Sequence, residues 1–504
     1  MAKPEVTLVF GAPGTGKTTY LLGILEELLK TYKPQEIAFV SFTRAGVNAG
    51  KSRAIAKFGY TEEEFLYFRT LHSIAFRQGN LRKTDVVTKK EYYEFSKAIG
   101  MKFTGYYTED FTGGDDVYLF YYFLLKNNAL RARDIELELN TKTYKYVEQM
   151  YNKFKLQRGM TDYTDMIEHF IQDNEPLPVK VAIIDETQDL TTLQFRMCSV
   201  AFRNCEKIFF AGDDDQAIYS WNGSDVDRFL DIKGKRVVLE KSYRLPSRIL
   251  LFSQQISDHI SKRVPKNFQP REEGGDIFMY NSIEEVPITR DGEWYLLARN
   301  NYHLDEYREY LRQRGILFSD KGVPSIKKTL IEAIRMYEHR RQTGECTEIN
   351  KLKIQQKLKR NADITLPWYD TFELDDTEID YIRDILANNG KLEQSKITVN
   401  TFHGVKGGEA DDVVVVMSFT RRVSQAFDSD TNAELRCLYV GCTRSKKNLH
   451  IVFKNSQYGY EDVLPIREMA RRAYDGKKTI RDTRGKFVSF ESNAGLNTPS
   501  TTSS

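Results

Sequence analysis

The sequence predicts an α/β fold in which parallel sheets form more than one domain. Three observations carry that expectation. A short apolar run, a Gly-rich loop and a helical apolar pattern follow one another at residues 6–29. Apolar runs ending in acids recur at residues 179–186 and 207–216. A second series of strand-like runs resumes at residue 294 and returns after a biased helical stretch. Strand runs alternating with helical segments indicate crossover units and parallel sheets.

The first run, Val6-Thr7-Leu8-Val9-Phe10, leads into Gly11-Ala12-Pro13-Gly14-Thr15-Gly16-Lys17-Thr18. This fits G-x-x-x-x-G-K-[ST], the loop whose backbone N–H groups cradle nucleotide phosphates. Residues 19–29, beginning Thr19-Tyr20-Leu21-Leu22, are apolar at helical spacing. Glycines let the backbone wrap an anion, and a helix N-terminus adds the positive end of its dipole. Lys17 is expected to reach the β- and γ-phosphates and Thr18 to hold Mg²⁺. A nucleoside triphosphate with Mg²⁺ is the ligand this loop predicts.

Residues 36–44 read as a second buried strand, and Thr70-Leu71-His72-Ser73 as a third short one. Between residues 79 and 160 aromatics crowd helical segments such as Tyr118-Leu119-Phe120-Tyr121-Tyr122-Phe123-Leu124-Leu125. Interleaved Lys126, Arg131, Arg133, Lys142 and Lys145 would suit a single-strand platform, but a helical subdomain with an aromatic core is the preferred reading. Val179-Lys180-Val181-Ala182-Ile183-Ile184-Asp185-Glu186 places two carboxylates at the C-terminal edge of a strand, where open α/β sheets bind ligands. Asp185 is suited to hold Mg²⁺, and Glu186 to orient and deprotonate a water, so the expected reaction is hydrolysis. Residues 207–216 repeat the pattern and place Gln216 to sense a γ-phosphate or its water. Tyr219 and Trp221 come directly after, either as core or as a base-stacking platform. Residues 237–244 end a further strand on Tyr243 and Arg244. Runs at 294–299, 396–400, 412–417 and 449–453 predict the second α/β domain. Between them, residues 321–360 carry eleven Lys/Arg against four Glu, and residues 363–380 turn acidic; both read as solvated helix faces.

Composition limits the alternatives. At 504 residues the chain has room for several domains of ~150 residues. No apolar run nears the ~20 residues that span a bilayer, and the loop begins after ten residues, so a cytoplasmic protein without signal peptide or membrane partner is expected. The five cysteines form no C-x-x-C pair and read as reduced thiols. A net charge of +3 makes any nucleic-acid footprint local. Residues 492–504 are small and polar and are expected to be disordered.

Taken in order, these segments resemble the superfamily 1 DNA helicases of the UvrD/Rep/PcrA type, over roughly residues 5–455. Phe39-Val40-Ser41-Phe42-Thr43-Arg44-Ala45 is similar to T-F-T-N-K-A, which implies DNA contact by Phe42, Thr43 and Arg44, with Phe42 stacked on a base. Thr70-Leu71-His72-Ser73 resembles T-x-H-S and implies DNA near His72. Asp162-Tyr163-Thr164-Asp165-Met166-Ile167 resembles D-F-D-D-L-L, and Asp185-Glu186-Thr187-Gln188-Asp189 resembles D-E-x-Q-D. Gly212-Asp213-Asp214-Asp215-Gln216-Ala217-Ile218-Tyr219-Ser220-Trp221 is similar to G-D-x-D-Q-S-I-Y-x-W. That implies coupling of the γ-phosphate to DNA by Gln216 and base contact by Tyr219 and Trp221. Tyr243-Arg244 resembles the end of N-Y-R and implies adenine stacking by Tyr243 and a γ-phosphate arginine at Arg244. Residues 401–409 are similar to T-x-H-x-x-K-G-L-E, which implies DNA at Thr401 and His403 and ribose at Glu409. Residues 438–447 match Y-V-x-x-T-R-A-K-K, making Arg444 a second catalytic arginine supplied by the other domain.

The resemblance implies two RecA-like domains with parallel sheets. The first motor domain covers 1–78 and 161–239 around a helical insertion at 79–160. The second covers 240–338 and 393–455 around a short insertion at 339–392, and 456–504 forms a C-terminal extension. It implies ATP, Mg²⁺, single-stranded and tailed duplex DNA as partners, replication or repair proteins among the contacts, 3′-to-5′ travel and duplex unwinding. The family's glutamine-bearing segment has no counterpart before Gly11, Asn222 replaces an arginine, and the second insertion is short. A translocase that displaces proteins with little unwinding, or a nucleotide-switched DNA-binding or loading factor, are the alternatives.

Overall fold

Parallel strands buried on both faces read as continuous apolar runs, and the chain supplies two sets of them. The computed structural model describes residues 3–41, 44–105, 107, 114–130, 139–289, 292–387, 396–453, 456–475, 478–481 and 487–490. They group into two compact units. Unit 1 holds Met1–Leu250, Gln254–Glu272 and Ser429–Tyr439; unit 2 holds Leu251–Ser253, Glu273–Asp428 and Val440–Ser504.

In unit 1, β1 (Glu5–Gly11), β2 (Ile37–Ser41), β3 (Tyr67–Arg69), β4 (Val181–Asp185), β5 (Lys207–Gly212) and β6 (Lys235–Leu239) form one sheet. The order is β3-β2-β4-β5-β1-β6, with every neighbouring pair parallel. All residues of β2 and β4 are buried. Successive side chains alternate between faces. Ile37, Phe39, Val181 and Ile183 pack in one core with the helix Lys17–Leu28, while Ala38, Val40, Ala182 and Ile184 pack in another with Leu71–Gln78, Tyr163–Asp173 and Thr192–Ala201. The chain leaves β1 and passes over β5 and β4 to reach β2, so the C-terminal end of β1 is the topological switch point where such sheets take ligands.

One strand differs from its expected place. Residues 70–73 are not a strand: Thr70 Oγ1 accepts from Ser73 N at 3.3 Å and caps the helix Leu71–Gln78. The strand is β3, immediately before it. A Thr followed by apolar residues suits a helix start as well as a strand, and the capping bond decides it.

The helices Lys89–Ile99, Asp116–Asn127 and Thr141–Arg158 enclose a core of their own. Phe95, Tyr122, Tyr144, Tyr151 and Phe154 are all buried there, so the crowded aromatics serve mainly as packing. A buried ion-pair cluster ties this core to the helix Tyr163–Asp173, which packs on the first sheet. Lys155 Nζ is 2.5 Å from Asp162 Oδ2 and 2.5 Å from Asp165 Oδ2, and Lys126 Nζ is 2.7 Å from Asp165 Oδ1. Asp162 and Asp165 also form the capping box of the helix Tyr163–Asp173.

In unit 2, β7 (Ile277–Tyr280), β8 (Trp294–Ala298), β9 (Ser319–Asp320), β10 (Val323–Pro324), β11 (Ile397–Thr401), β12 (Ala410–Val416) and β13 (Ser445–Val452) form the second sheet. Its order is β10-β9-β11-β8-β12-β13-β7, parallel except for β9 with β10. Trp294, Leu296, Val399, Val414 and Val416 lie in its core. The helices between β10 and β11 have a separate core around Ile331, Ile334, Tyr337, Trp368 and Phe372. Thus the α/β class and both parallel sheets stand as expected.

Residues 240–250, 254–272 and 429–439 group with unit 1. Polar contacts explain it: Lys266, Arg263 and Arg436 bind the segment after β5. Among the described residues no helix is long and apolar enough to cross a membrane, and all five cysteines are free thiols.

Candidate functional site

Register brings three strand ends together. Phe10 of β1 lies level with Gly212 of β5, and Ile184 of β4 with Phe210 of β5. The phosphate-type loop, the Asp185-Glu186 pair and Asp213 therefore emerge side by side from one sheet edge. The loop is wound as an anion cradle. Gly14 and Gly16 have φ of 75° and 74°, the left-handed region that favours glycine. Thr15 Oγ1 donates to Ala12 O at 2.9 Å, and Lys17 Nζ folds back to donate to Gly11 O at 3.0 Å. A Cβ on Gly11 would sit 2.5 Å from Thr15 Oγ1 and 2.7 Å from Lys17 Cγ, so the loop needs its bare backbone there. Thr18 and Thr19 continue into the helix Lys17–Leu28.

The segment after β6 closes on this loop. Ser242 Oγ donates to Pro13 O at 2.9 Å and accepts from Leu245 N at 3.1 Å. Tyr243 N donates to Gly14 O at 2.7 Å. A Cβ on Gly14 would lie 2.3 Å from Arg244 Cβ, and one on Gly16 would lie 3.8 Å from the Tyr243 ring. Tyr243 is 68% exposed, an aromatic face open beside the cradle. Ser242, which sequence reasoning passes over, is wholly buried and holds the two loops together.

Burial and the neighbouring Glu186 push the Asp185 carboxyl up to about 7, with the Lys17 ammonium pulling it back. Glu186 stands at φ 53°, a left-handed position in a non-glycine residue. Gln188 bridges this acid to the turn after β5. Its Nε2 donates to Glu186 Oε2 at 2.6 Å, and its Oε1 accepts from Asp213 N at 3.0 Å. Asp213 Oδ2 in turn accepts from Gln216 Nε2 at 2.7 Å. A Cβ on Gly212 would come within 2.3 Å of Gln188 Oε1, so only glycine leaves this amide its place. Glu186, Gln188, Asp213 and Gln216 form one hydrogen-bonded relay. The Gln188 link is invisible to sequence reasoning, although its side chain is wholly buried between two motifs.

The three carboxylates of the turn after β5 are held by cations. Lys266 Nζ lies 2.8 Å from Asp213 Oδ1, 2.5 Å from Asp214 Oδ1 and 2.9 Å from Asp215 Oδ2. Arg263 grips Asp215 with two nitrogens, at 2.8 and 2.7 Å. Arg436 Nε donates to Asp214 O at 2.9 Å. Burial raises Asp215, but Lys266 and Arg263 outweigh burial and hold it below the usual range.

Tyr219 and Trp221 stand edge to face, ring centroids 6.3 Å apart. Their turn leans on the helical insertion, where Asn127 Nδ2 donates to Asn222 O at 3.0 Å. His72 sits edge to face with Tyr163 at 5.5 Å, joining two distant sequence segments. Tyr163 is 56% exposed, an aromatic that its own motif gives no reason to single out. Burial lowers His72 to about 4, so its imidazole is neutral at pH 7. Arg44 opens the helix Arg44–Phe58, whereas Phe42, Thr43 and the tail at 492–504 lie outside the described residues.

Unit 2 gathers its own set. Thr401 ends β11 and is 2% exposed; His403 is 6% exposed. Glu409 is exposed just before β12. Arg444 is buried, with Nε donating to Val440 O at 3.0 Å and Nη1 to Gly408 O at 3.2 Å.

Residues 2–236 match the family model for the UvrD/REP helicase N-terminal domain, and residues 382–456 that for the UvrD-like helicase C-terminal domain. This chain belongs to the UvrD/Rep/PcrA-like family of superfamily 1 helicases. Its two parallel sheets are the RecA-like domains of that family. The chain is 24% identical over 334 residues to the ATP-dependent DNA helicase PcrA of Staphylococcus epidermidis, covering 60% of this chain and 44% of that protein. It is 23% identical to DNA helicase II of Haemophilus influenzae (55% and 42% covered) and 21% identical to the ATP-dependent DNA helicase Rep of Buchnera aphidicola (64% and 51% covered). The chain spans about half the length of the curated relatives it matches.

Proposed function

We propose that this chain is an ATP-driven motor that moves along single-stranded DNA, 3′ to 5′, and separates duplexes. The observation that carries the reading is the relay from Glu186 through Gln188 and Asp213 to Gln216, a few residues before Tyr219 and Trp221. The hydrogen bonds from Glu186 end at Gln216, three residues before the first of a pair of aromatics suited to bases. A change felt at Glu186 or Gln216 has a short path along the chain to the stacking residues.

The left-handed glycines and the bare Gly11 backbone fit a triphosphate, with Lys17 on its terminal phosphates and Tyr243 stacked on adenine. Thr18 and Asp185 would hold Mg²⁺, which when bound neutralises phosphate charge. Glu186 orients and deprotonates the attacking water. Arg244, seated against Gly14, stabilises charge on the transferred group, and Arg444 is the second such arginine. Glu409 binds ribose. Phe42, Thr43, Arg44, His72, Tyr219, Trp221, Thr401 and His403 contact the strand. Aromatic stacking supplies sequence-tolerant grip and backbone contacts supply salt-dependent affinity.

The test is strand displacement from duplexes with a 3′ or a 5′ single-stranded tail. ATP-dependent displacement from the 3′-tailed duplex alone supports the reading. Displacement from the 5′-tailed duplex alone reverses the direction, and protein removal from single strands without displacement favours the translocase.

A further inference from the structure

We propose that a cavity at the outer edge of the first sheet, far from the nucleotide loop, docks an acidic peptide with a large apolar side chain, contributed by a partner protein. The cavity is about 340 Å³ and is lined by Leu66, Tyr67, Arg69, Ile74, Arg77 and the Pro176-Leu177-Pro178 turn, with Gln78 at its border. It is apolar inside and cationic at its rim.

The rim charges are only weakly countered. Among the described residues neither Arg69 nor Arg77 has an ion-pair partner; Arg69 Nε only donates to Leu66 O at 2.7 Å. Partial burial and the nearby Arg77 both disfavour the charged Arg69 guanidinium. The carboxylate that offsets them, Glu62, is held by Lys51. Two like charges kept together beside apolar walls are relieved by an anion. Guanidinium forks pair best with a carboxylate or phosphate.

The walls and the position favour peptide over nucleic acid. Leu66, Ile74 and Leu177 offer a hollow for an apolar side chain, which a sugar–phosphate backbone does not have. Tyr67 lies level with Ala38 and Ala182, near the starts of β2 and β4, whereas the nucleotide loop leaves the opposite edge. β3 has only three residues and β2 as its sole strand neighbour among the described residues, leaving this flank open.

The test is fluorescence anisotropy with the full chain and a fluorescein-labelled octapeptide ending in two aspartates, a leucine and a phenylalanine. Expected is saturable binding, weakened about tenfold or more by Arg77→Glu and by Arg69→Gln, and unchanged by saturating single-stranded oligonucleotide. Arg77 is exposed, so its replacement leaves the fold and the basal ATP hydrolysis as in the parent. Absence of binding, or equal binding by both variants, overturns the proposal. So does displacement by the oligonucleotide, which would make the arginines phosphate contacts, or by a peptide of residues 476–504, which would make the occupant the chain's own tail.

Discussion

Lys266 Nζ stands 2.8 Å from Asp213 Oδ1, with both side chains wholly buried. The pair joins a segment beyond β6 to the acidic turn after β5, and the same ammonium holds Asp214 and Asp215. Removing one side of a buried ion pair leaves uncompensated charge, which costs about 3–5 kcal/mol. Lys266→Met is therefore expected to lower the unfolding free energy by about that amount, read as a drop in urea midpoint. An unchanged midpoint would mean that the carboxylates find other partners.

Gly212→Ala tests the relay more locally. The added Cβ would meet Gln188 Oε1 at 2.3 Å and push the amide from Glu186 and Asp213. The expected outcome is a fall in kcat of about tenfold or more with KM for ATP little changed, since binding groups stay in place. A raised KM with normal kcat would show that the relay serves binding instead.

Gly14→Ala strikes the cradle. The position has φ 75° and its Cβ would fall 2.3 Å from Arg244 Cβ. Backbone strain of about 1–3 kcal/mol and displacement of Arg244 should together weaken nucleotide binding at least tenfold, by titration with a fluorescent ATP analogue. Parental affinity would show that the loop opens away from Arg244 at no cost.

His72 makes stability depend on acid. Its pKa drops from 6.5 to about 4 in the folded protein, so a proton binds the unfolded chain more tightly. The stability this contributes is complete above pH 6.5 and is lost as pH falls from 6.5 through about 4. His72→Gln should lose less stability than the parent between pH 7 and pH 4.5 in urea titrations. Equal losses would show that His72 titrates normally.

Sequence distance decides which parts of the fold and site are legible in the chain. The loop of residues 11–18 can be read because its ligand groups are contiguous backbone and two adjacent side chains. Asp185, Glu186 and Gln216 can be read because they end apolar strand runs. Ser242, Arg263, Lys266 and Arg436 cannot. Their partners lie far along the chain, 229 residues for Ser242 with Pro13 and 222 for Arg436 with Asp214. A lysine amid polar residues looks like surface until folding buries it. Residues 70–73 read as a strand because a capping threonine and a strand threonine look alike until the Ser73 N–H is seen to point at it.

Hydrolysis at the loop coupled to a single strand is the central claim. Steady-state ATP hydrolysis, with and without single-stranded DNA and with single-stranded RNA and blunt duplex as controls, tests it most directly. The expected result is strong stimulation by single-stranded DNA, and in Lys17→Ala a rate at least about a hundredfold lower with DNA binding retained. A rate indifferent to nucleic acid, or parental turnover in Lys17→Ala, would contradict it.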